Sequence, residues 1–445
     1  MTEPKIDVAI LADEKIRFEL DGYFHIRGSE RIFSGKYTAT AENNNIVISD
    51  EKQIILNVND EIIFYPGEKE RETFILKNVT IGKKFHWEQK ENQRFSGALK
   101  FLVENNKITA INKISAEDYL TSVISSEMSP NASIEFLKAH AIISRSWLFA
   151  QINKEGEANE SKAVEFIDTE EELIKWYDRD DHKNFDVCAD DHCQRYQGLT
   201  KVQSQSVRNA IRETYGMVLK YDDEVCDTRF SKCCGGISES FENVWSNEKT
   251  EYLSSISDYK FEPDGYNTDF SNEFNVRKWI KNKPVSFCNC TDEAVLSQVL
   301  ISFDRQTHDF YRWETSFTQE ELSGLINKKT GEDFGEIVDL IPVERGDSGR
   351  LIKLKIVGTK KTKIIGKELE IRRVLSESHL YSSAFIVEKS EIENSVPQKF
   401  TLYGAGWGHG VGLCQIGAAV MGEQGYRFDE ILVHYFKGAQ IQKIY

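Results

Sequence analysis

The sequence has little proline, 7 in 445 residues, which excludes long proline-rich linkers. Nowhere does it hold an uncharged apolar run approaching the ~18 residues that a membrane-crossing helix needs. The first twenty residues carry charges throughout and lack the apolar core of a signal peptide, so no export signal is visible. Cysteine is sparse, 8 in all, far below a disulfide-stapled scaffold. Basic residues are outnumbered, 56 Lys and Arg against 72 Asp and Glu, for a net charge of −16. That balance excludes a dedicated nucleic-acid binder, which needs a basic face against phosphate. What is present is ample core material, with 40% hydrophobic and 29% charged residues, so the chain is not disordered. At about 150 residues per domain, roughly three units are expected, or one large unit and a small one.

Residues 1–90 read as a β-rich domain. Short branched or aromatic segments (Ile6 to Leu11, Ile16 to Leu20, Tyr23 to Ile26, Ile46 to Ile48, Ile54 to Val58, Glu61 to Tyr65) are separated by Gly, Asn or Asp. Residues 95–445 read as a mixed α/β domain with an insertion or second lobe at 260–395, giving an α+β, multidomain chain. It opens with two strands turned at Asn105-Asn106. Ser115 and Asp118 fit a capping box, and the helix that follows ends near Glu127. Leu120, Val123, Ile124 and Glu127 share one face of it. Ser129-Pro130-Asn131 breaks the chain before a second helix over 133–153, with a buried stripe of Ile134, Leu137, Ala141 and Leu148. Residues 154–180 are acidic and without pattern, and read as a surface excursion. A helix over Gln205 to Tyr215, a strand at 350–359, a helix from Thr318 to Lys328 and a last helix near Gly417 to Gln424 complete the outline.

Four constellations can carry chemistry. Glu127, at the end of an apolar helix face, suits a partly desolvated general acid. Lys138 and Arg145, two turns apart on the next helix, point the same way and can bind a polar or anionic substrate beside it; the alternative is a structural ion pair. His182, Cys188, His192 and Cys193 lie within twelve residues, a ligand set suited to tetrahedral Zn²⁺ in a closed, structural site; a Cys188–Cys193 disulfide or free thiols are the alternatives. Cys226 can meet Cys233 or Cys234 across a hairpin, and Cys288 and Cys290 form a further pair, all left unassigned. Gly404 to Gly412 holds five glycines around Trp407 and His409, a backbone suited to a close ligand approach or simply to turn geometry.

The stretches ISAEDYLTSVISSEMSP, EFLKAHAIISRSWLFA, DVCADDHCQRYQG, ETYGMVLKYDDEVCDTRFSKCCGGISES and GAGWGHGVGLCQIGAAVMGEQGYRFDEILVHYF occur in this order. Together they resemble the stage II sporulation protein D and amidase enhancer family, over roughly 95–260 and 330–445. This chain departs from the family pattern at Ser129, His140 and Cys414. The resemblance implies a peptidoglycan lytic transglycosylase that cleaves the MurNAc–GlcNAc bond of glycan strands without stem peptides. Glu127 would be its catalytic acid and base. Lys138, Arg145, Ser146, Ser231, Gly235, Gly236, His409 and Gln415 would bind substrate, and a structural zinc would sit on His182, Cys188, His192 and Cys193. It places the protein in the cell envelope or outside the cell, with glycan strands and an amidase as partners. The competing expectations are a non-catalytic, glycan-binding enhancer of an amidase and a cytoplasmic zinc protein unrelated to the wall.

Overall fold

The computed structural model describes residues 2–445 except 69–70, 83–88, 130, 155–165, 178–181, 191, 203 and 301–308. Pro130 and parts of the expected excursion (155–165 and 178–180) therefore lie outside the described residues.

The sheet that opens the chain does not stop at residue 90. Among the described residues, eleven strands form one sheet running from Lys5 to Ser115 with a late addition at Val187–Cys188. Strand Lys5–Asp13 lies antiparallel to Lys107–Ser115, so the first strand closes against the last. The expected boundary at 90–95 thus falls inside a continuous hydrogen-bonded unit. The segments expected as two strands at 16–20 and 23–26 are one strand, Lys15–His25, which changes partner midway. Phe18 to Asp21 pair with Thr73–Ile81, whereas Phe24 and His25 pair with Glu61–Pro66. Gly22 sits at the change with φ +114°, where a Cβ would lie 2.5 Å from Glu72 Cγ. Phe18, Phe24, Phe33, Phe64, Phe74, Phe95 and Phe101 fill the interior, each at most 1% exposed. The hairpin at Asn105-Asn106 is as expected: both residues adopt positive φ in a two-residue turn, which Asn tolerates.

Helix α1, Ala116–Glu127, leaves the sheet without a loop. Ser115 Oγ caps it by accepting from Asp118 N and donating to the Asp118 carboxylate. Helix α2, Ile134–Lys154, is central: every residue from 139 to 151 is buried. A helix enclosed on all sides has no polar face, so sequence periodicity could not orient it. Ile134, expected in the buried stripe, is 36% exposed, because the first turn projects beyond the core. Helix α3, Gln205–Glu213, packs on α2 and leads through Gly216 (φ +69°) into strand Met217–Tyr221.

α1 and α2 are locked by a buried ion pair. Arg145, fully buried, donates from Nε and Nη2 to the two Glu117 oxygens at 2.9 and 2.7 Å, and from Nη1 to Met217 O at 2.9 Å. Glu117 also accepts from Gly216 N and Tyr445 OH.

A second core gathers Trp313, Leu322, Leu340, Leu354, Ile365, Phe385 and Leu402, among others. Its helix Gln319–Thr330 begins with a complete capping box at Thr318 and Glu321, and its strand Leu351–Gly358 matches the expected one. The excursion at 154–180 is not all patternless. Strands Phe166–Asp168 and Glu172–Lys175 add to the sheet of this second lobe, the latter parallel to Thr362–Gly366. Buried Glu239 fastens the lobes: it accepts from Asn243 Nδ2, Asp347 N and Ser348 Oγ.

Replacing Arg145 with Ala is expected to cost about 3–5 kcal/mol, because Glu117 is left as an unpaired buried carboxylate. Urea unfolding of the two proteins measures it, and a loss below about 1 kcal/mol would remove the pair from the framework of the fold.

Candidate active site and metal-ligand cluster

Glu127 ends α1. Leu120, Val123 and Ile124 turn inward and are fully buried, while Glu127 is half-buried at the surface. Its Oε1 accepts the Arg195 backbone N–H at 3.3 Å. That contact was not foreseen, since 186–198 reads in sequence as a ligand-bearing loop and a backbone donor leaves no residue-type signal.

The loop is hung on the sheet edge. Asp186 Oδ2 accepts from Asp7 N, Val187 and Cys188 pair in parallel with Val8 and Ala9, and Ala189 N donates to Ala9 O. Tyr196 N closes the loop onto Ala189 O, and the Tyr196 ring stacks 5.2 Å from Tyr119 of α1. Within it the ligand atoms of His182, Cys188, His192 and Cys193 all lie within 4.8 Å of one another. The Cys193 sulfur is 3.4 Å from His182 Nε2 and 3.5 Å from His192 Nδ1. The Cys188 thiol is held well below its usual pKa, first by the Cys193 sulfur and then, against the opposing effect of burial, by the two imidazoles. Two sulfurs and two imidazole nitrogens at this spacing fit the four corners of a tetrahedral zinc site.

The two cations expected beside Glu127 are elsewhere. Arg145 spends its guanidinium on Glu117 and Met217, with no surface left for a substrate. Lys138 Nζ binds Glu135 at 3.0 Å and Glu213 at 2.9 Å. The seven-residue spacing does align them, but on the sides of α2 that meet α3 and the strand Met217–Tyr221. Ser146 is also buried, with Oγ donating to Ile142 O and accepting from Leu219 N. Gln415 is buried and meets His140 Nε2 at 3.1 Å. His140 itself is fully enclosed, and burial, reinforced by Lys232, pushes its pKa down to about 3.

The glycine-rich loop serves the chain rather than an open groove. Gly235 and Gly236 have positive φ and are buried; a Cβ on the first would lie 2.9 Å from Gly406 N and on the second 2.8 Å from the Trp279 ring. Both positions are therefore close approaches between chain segments. His409 Nδ1 accepts the Val411 N–H at 3.0 Å, pinning a turn. Its ring lies 5.3 Å from that of Trp245, and burial, with Arg229 and Arg350 nearby, pushes its pKa down to about 3, so the imidazole is neutral. Ser231 is the exception: its Oγ is buried and has no hydrogen-bond partner among the described residues.

Comparison with known proteins agrees with this layout. Residues 104–221 match the family described as Stage II sporulation protein, and residues 239–412 match a domain of unknown function (DUF8618). The second match takes in residues 260–395 and the whole of the glycine-rich loop. An uncharacterized protein of Brachyspira hyodysenteriae is 23% identical, over 94% of this chain and 88% of its own length. The amidase enhancer of Bacillus subtilis is 24% identical over 54% of this chain, a match spanning only 33% of that protein. Stage II sporulation protein D of Bacillus subtilis is 22% identical over 75% of this chain and 76% of its own. Among the described residues no helix is long and apolar enough to cross a membrane. The stretch at 104–221, which contains Glu127 and the four-ligand loop, is thus similar to the stage II sporulation protein family.

Proposed function

We propose that this protein is a lytic transglycosylase of peptidoglycan with Glu127 as its single acid and base. The observation that carries the reading is the seat of Glu127: half-buried at a helix end, inside the family domain, and held through Oε1 by the backbone of the ligand-bearing loop. The similarity to an amidase enhancer and a sporulation protein supports a cell-wall role and an envelope location, and stripped glycan is the substrate proposed here.

One carboxyl group suffices if the nucleophile belongs to the sugar. Hydrolytic glycosidases need two carboxyl groups, one to protonate the leaving oxygen and one to activate water or attack. Here protonated Glu127 gives its proton to the glycosidic oxygen, and the C1–O bond of MurNAc breaks. The C6 hydroxyl of the same sugar bonds to C1, and its proton passes to the Glu127 carboxylate. The products are a 1,6-anhydroMurNAc end and a free GlcNAc hydroxyl; no water is consumed and the enzyme returns to its protonated form. The attacking group is tethered, so its effective concentration is high. Arg195 N holds the Glu127 oxygen that it reaches, leaving the other for proton transfer.

His182, Cys188, His192 and Cys193 would hold a zinc ion whose contribution is structural, since four protein ligands leave no open position. Their loop grips Glu127 two residues beyond Cys193, so the metal would fix the height of the acid. Ser231 is an expected substrate contact whose hydroxyl lacks a partner among the described residues.

The second reading is a glycan-binding enhancer that stimulates an amidase without cutting. It is favoured by the withdrawal of Lys138 and Arg145 into ion pairs, which leaves Glu127 without the cations expected to hold a substrate beside it.

Incubation with glycan stripped of stem peptides, read by mass spectrometry, is expected to give 1,6-anhydro ends. Glu127→Gln should lower turnover at least about 100-fold, the scale of a lost general acid, and keep glycan affinity within a few-fold. Absence of product from the unmodified protein, with glycan bound and an added amidase accelerated, would establish the enhancer reading instead. Chelation at neutral pH should lower the melting temperature by several degrees, and His192→Ala should reduce that shift and hold one equivalent of zinc less than its parent. A melting curve indifferent to chelator, on protein that elemental analysis finds free of zinc, would refute the metal at this loop.

A further inference from the structure

A second cluster lies in the interior, away from the surface loop. Cys234, Asp258, Cys288 and Cys414 are each at most 2% exposed, and their ligand atoms lie within 4.8 Å of one another. They come from four separate segments: the turn after strand Phe230–Ser231, a loop following Leu253, the turn at 286–290 and the start of helix Gln415–Glu423. The expected approach of Cys226 to Cys233 or Cys234 is replaced by this arrangement. We propose that Cys234, Asp258, Cys288 and Cys414 bind a structural zinc ion that clasps these four segments.

The spacing suits one ion. Zn–S bonds of about 2.3 Å put sulfurs on a tetrahedral edge of roughly 3.8 Å. The Cys234 and Cys288 sulfurs are 3.6 Å apart. An iron–sulfur cluster spreads its ligands over several metal atoms and needs a wider cage. A disulfide would join only two of the sulfurs gathered here, where the Cys233 thiol also faces Cys288 and Cys414, and leave the others with a carboxylate in the same dry interior.

The surroundings are those of an oriented ligand set. Asp258 accepts from Tyr435 OH at 2.6 Å, Ser286 Oγ at 3.0 Å and Cys288 N at 2.9 Å, which fixes the carboxylate plane. Cys234 N points at the Cys414 sulfur at 3.3 Å, and Ser286 Oγ lies 3.2 Å from the Cys288 sulfur. The Cys234 N–H stabilises negative charge on the Cys414 sulfur. Gly417 keeps the space open: a Cβ there would lie 2.4 Å from both Asp258 Oδ1 and Tyr435 OH. Three thiolates and a carboxylate carry the same formal charge as the four thiolates of a common structural zinc site. Neighbouring Cys233 pairs through its backbone with Trp407 in both directions, so the clasp also holds the glycine-rich loop.

The test separates this site from the surface loop. The double variant His192→Ala/Cys193→Ser, purified under reducing conditions, is expected to retain one equivalent of zinc per chain by elemental analysis. Cys288→Ser in the otherwise unmodified protein should hold one equivalent less than its parent. A folded double variant with no metal would overturn the proposal. So would a disulfide mapped between any two of Cys234, Cys288 and Cys414. Should the double variant fail to fold, equal zinc in the parent and in Cys288→Ser would overturn it equally.

Discussion

The buried pair of Glu117 and Arg145 is the interaction on which the rest of the family domain is arranged. Glu117 belongs to the first turn of α1 and Arg145 to the middle of α2, so their two parallel hydrogen bonds set the crossing of the helices. The same carboxylate receives the N–H that follows α3, and the same guanidinium caps Met217 O at the start of the next strand. A charge pair in a dry interior is tolerable only when its remaining donors and acceptors are matched, and these are. Everything that positions Glu127 is downstream: the direction of α1 decides where its last residue emerges, and the Tyr119–Tyr196 stack ties that helix to the loop that holds the acid.

Two kinds of polar residue share this architecture. Arg350, Glu239 and Arg145 are buried, hydrogen-bonded at each side-chain nitrogen or oxygen and positional, binding backbone carbonyls or N–H groups across segment boundaries. Glu127, by contrast, is half-buried with a long hydrogen bond from the Arg195 backbone, and Ser231 holds a buried hydroxyl with no partner among the described residues. Glu127 and Ser231 thus keep hydrogen-bonding capacity in reserve, whereas the three frame residues have spent theirs on the chain.

Much of the element order could be read from sequence because local signals were strong. The capping serine before α1 and the Asn105-Asn106 turn each carry their own stereochemical reason, and the helix from Thr318 and the strand near 351 stand where they were expected. The four-ligand loop was legible because its residues lie close in sequence as well as in space. Orientation on α2 was not legible: a helix buried on every side has no periodicity to decide which face meets what, so Lys138 and Arg145 were aligned correctly with each other and wrongly with Glu127. The glycines at 235 and 236 announce a close approach but not what approaches, and here it is the chain's own backbone and Trp279. The cysteines of the inner cluster are up to 180 positions apart, a distance no spacing rule spans.

The strand Met217–Tyr221 pairs with Gln440–Lys443, and Tyr445 reaches Glu117 across 328 positions of sequence. During synthesis, at about 5–20 residues per second, the family domain therefore waits for the second lobe to be made before its own edge is covered. Until then the nascent chain exposes one side of that strand and leaves the central carboxylate short of a donor. Maturation of this protein is thus a back-to-front event, in which a stretch made after the second lobe completes a domain begun before it.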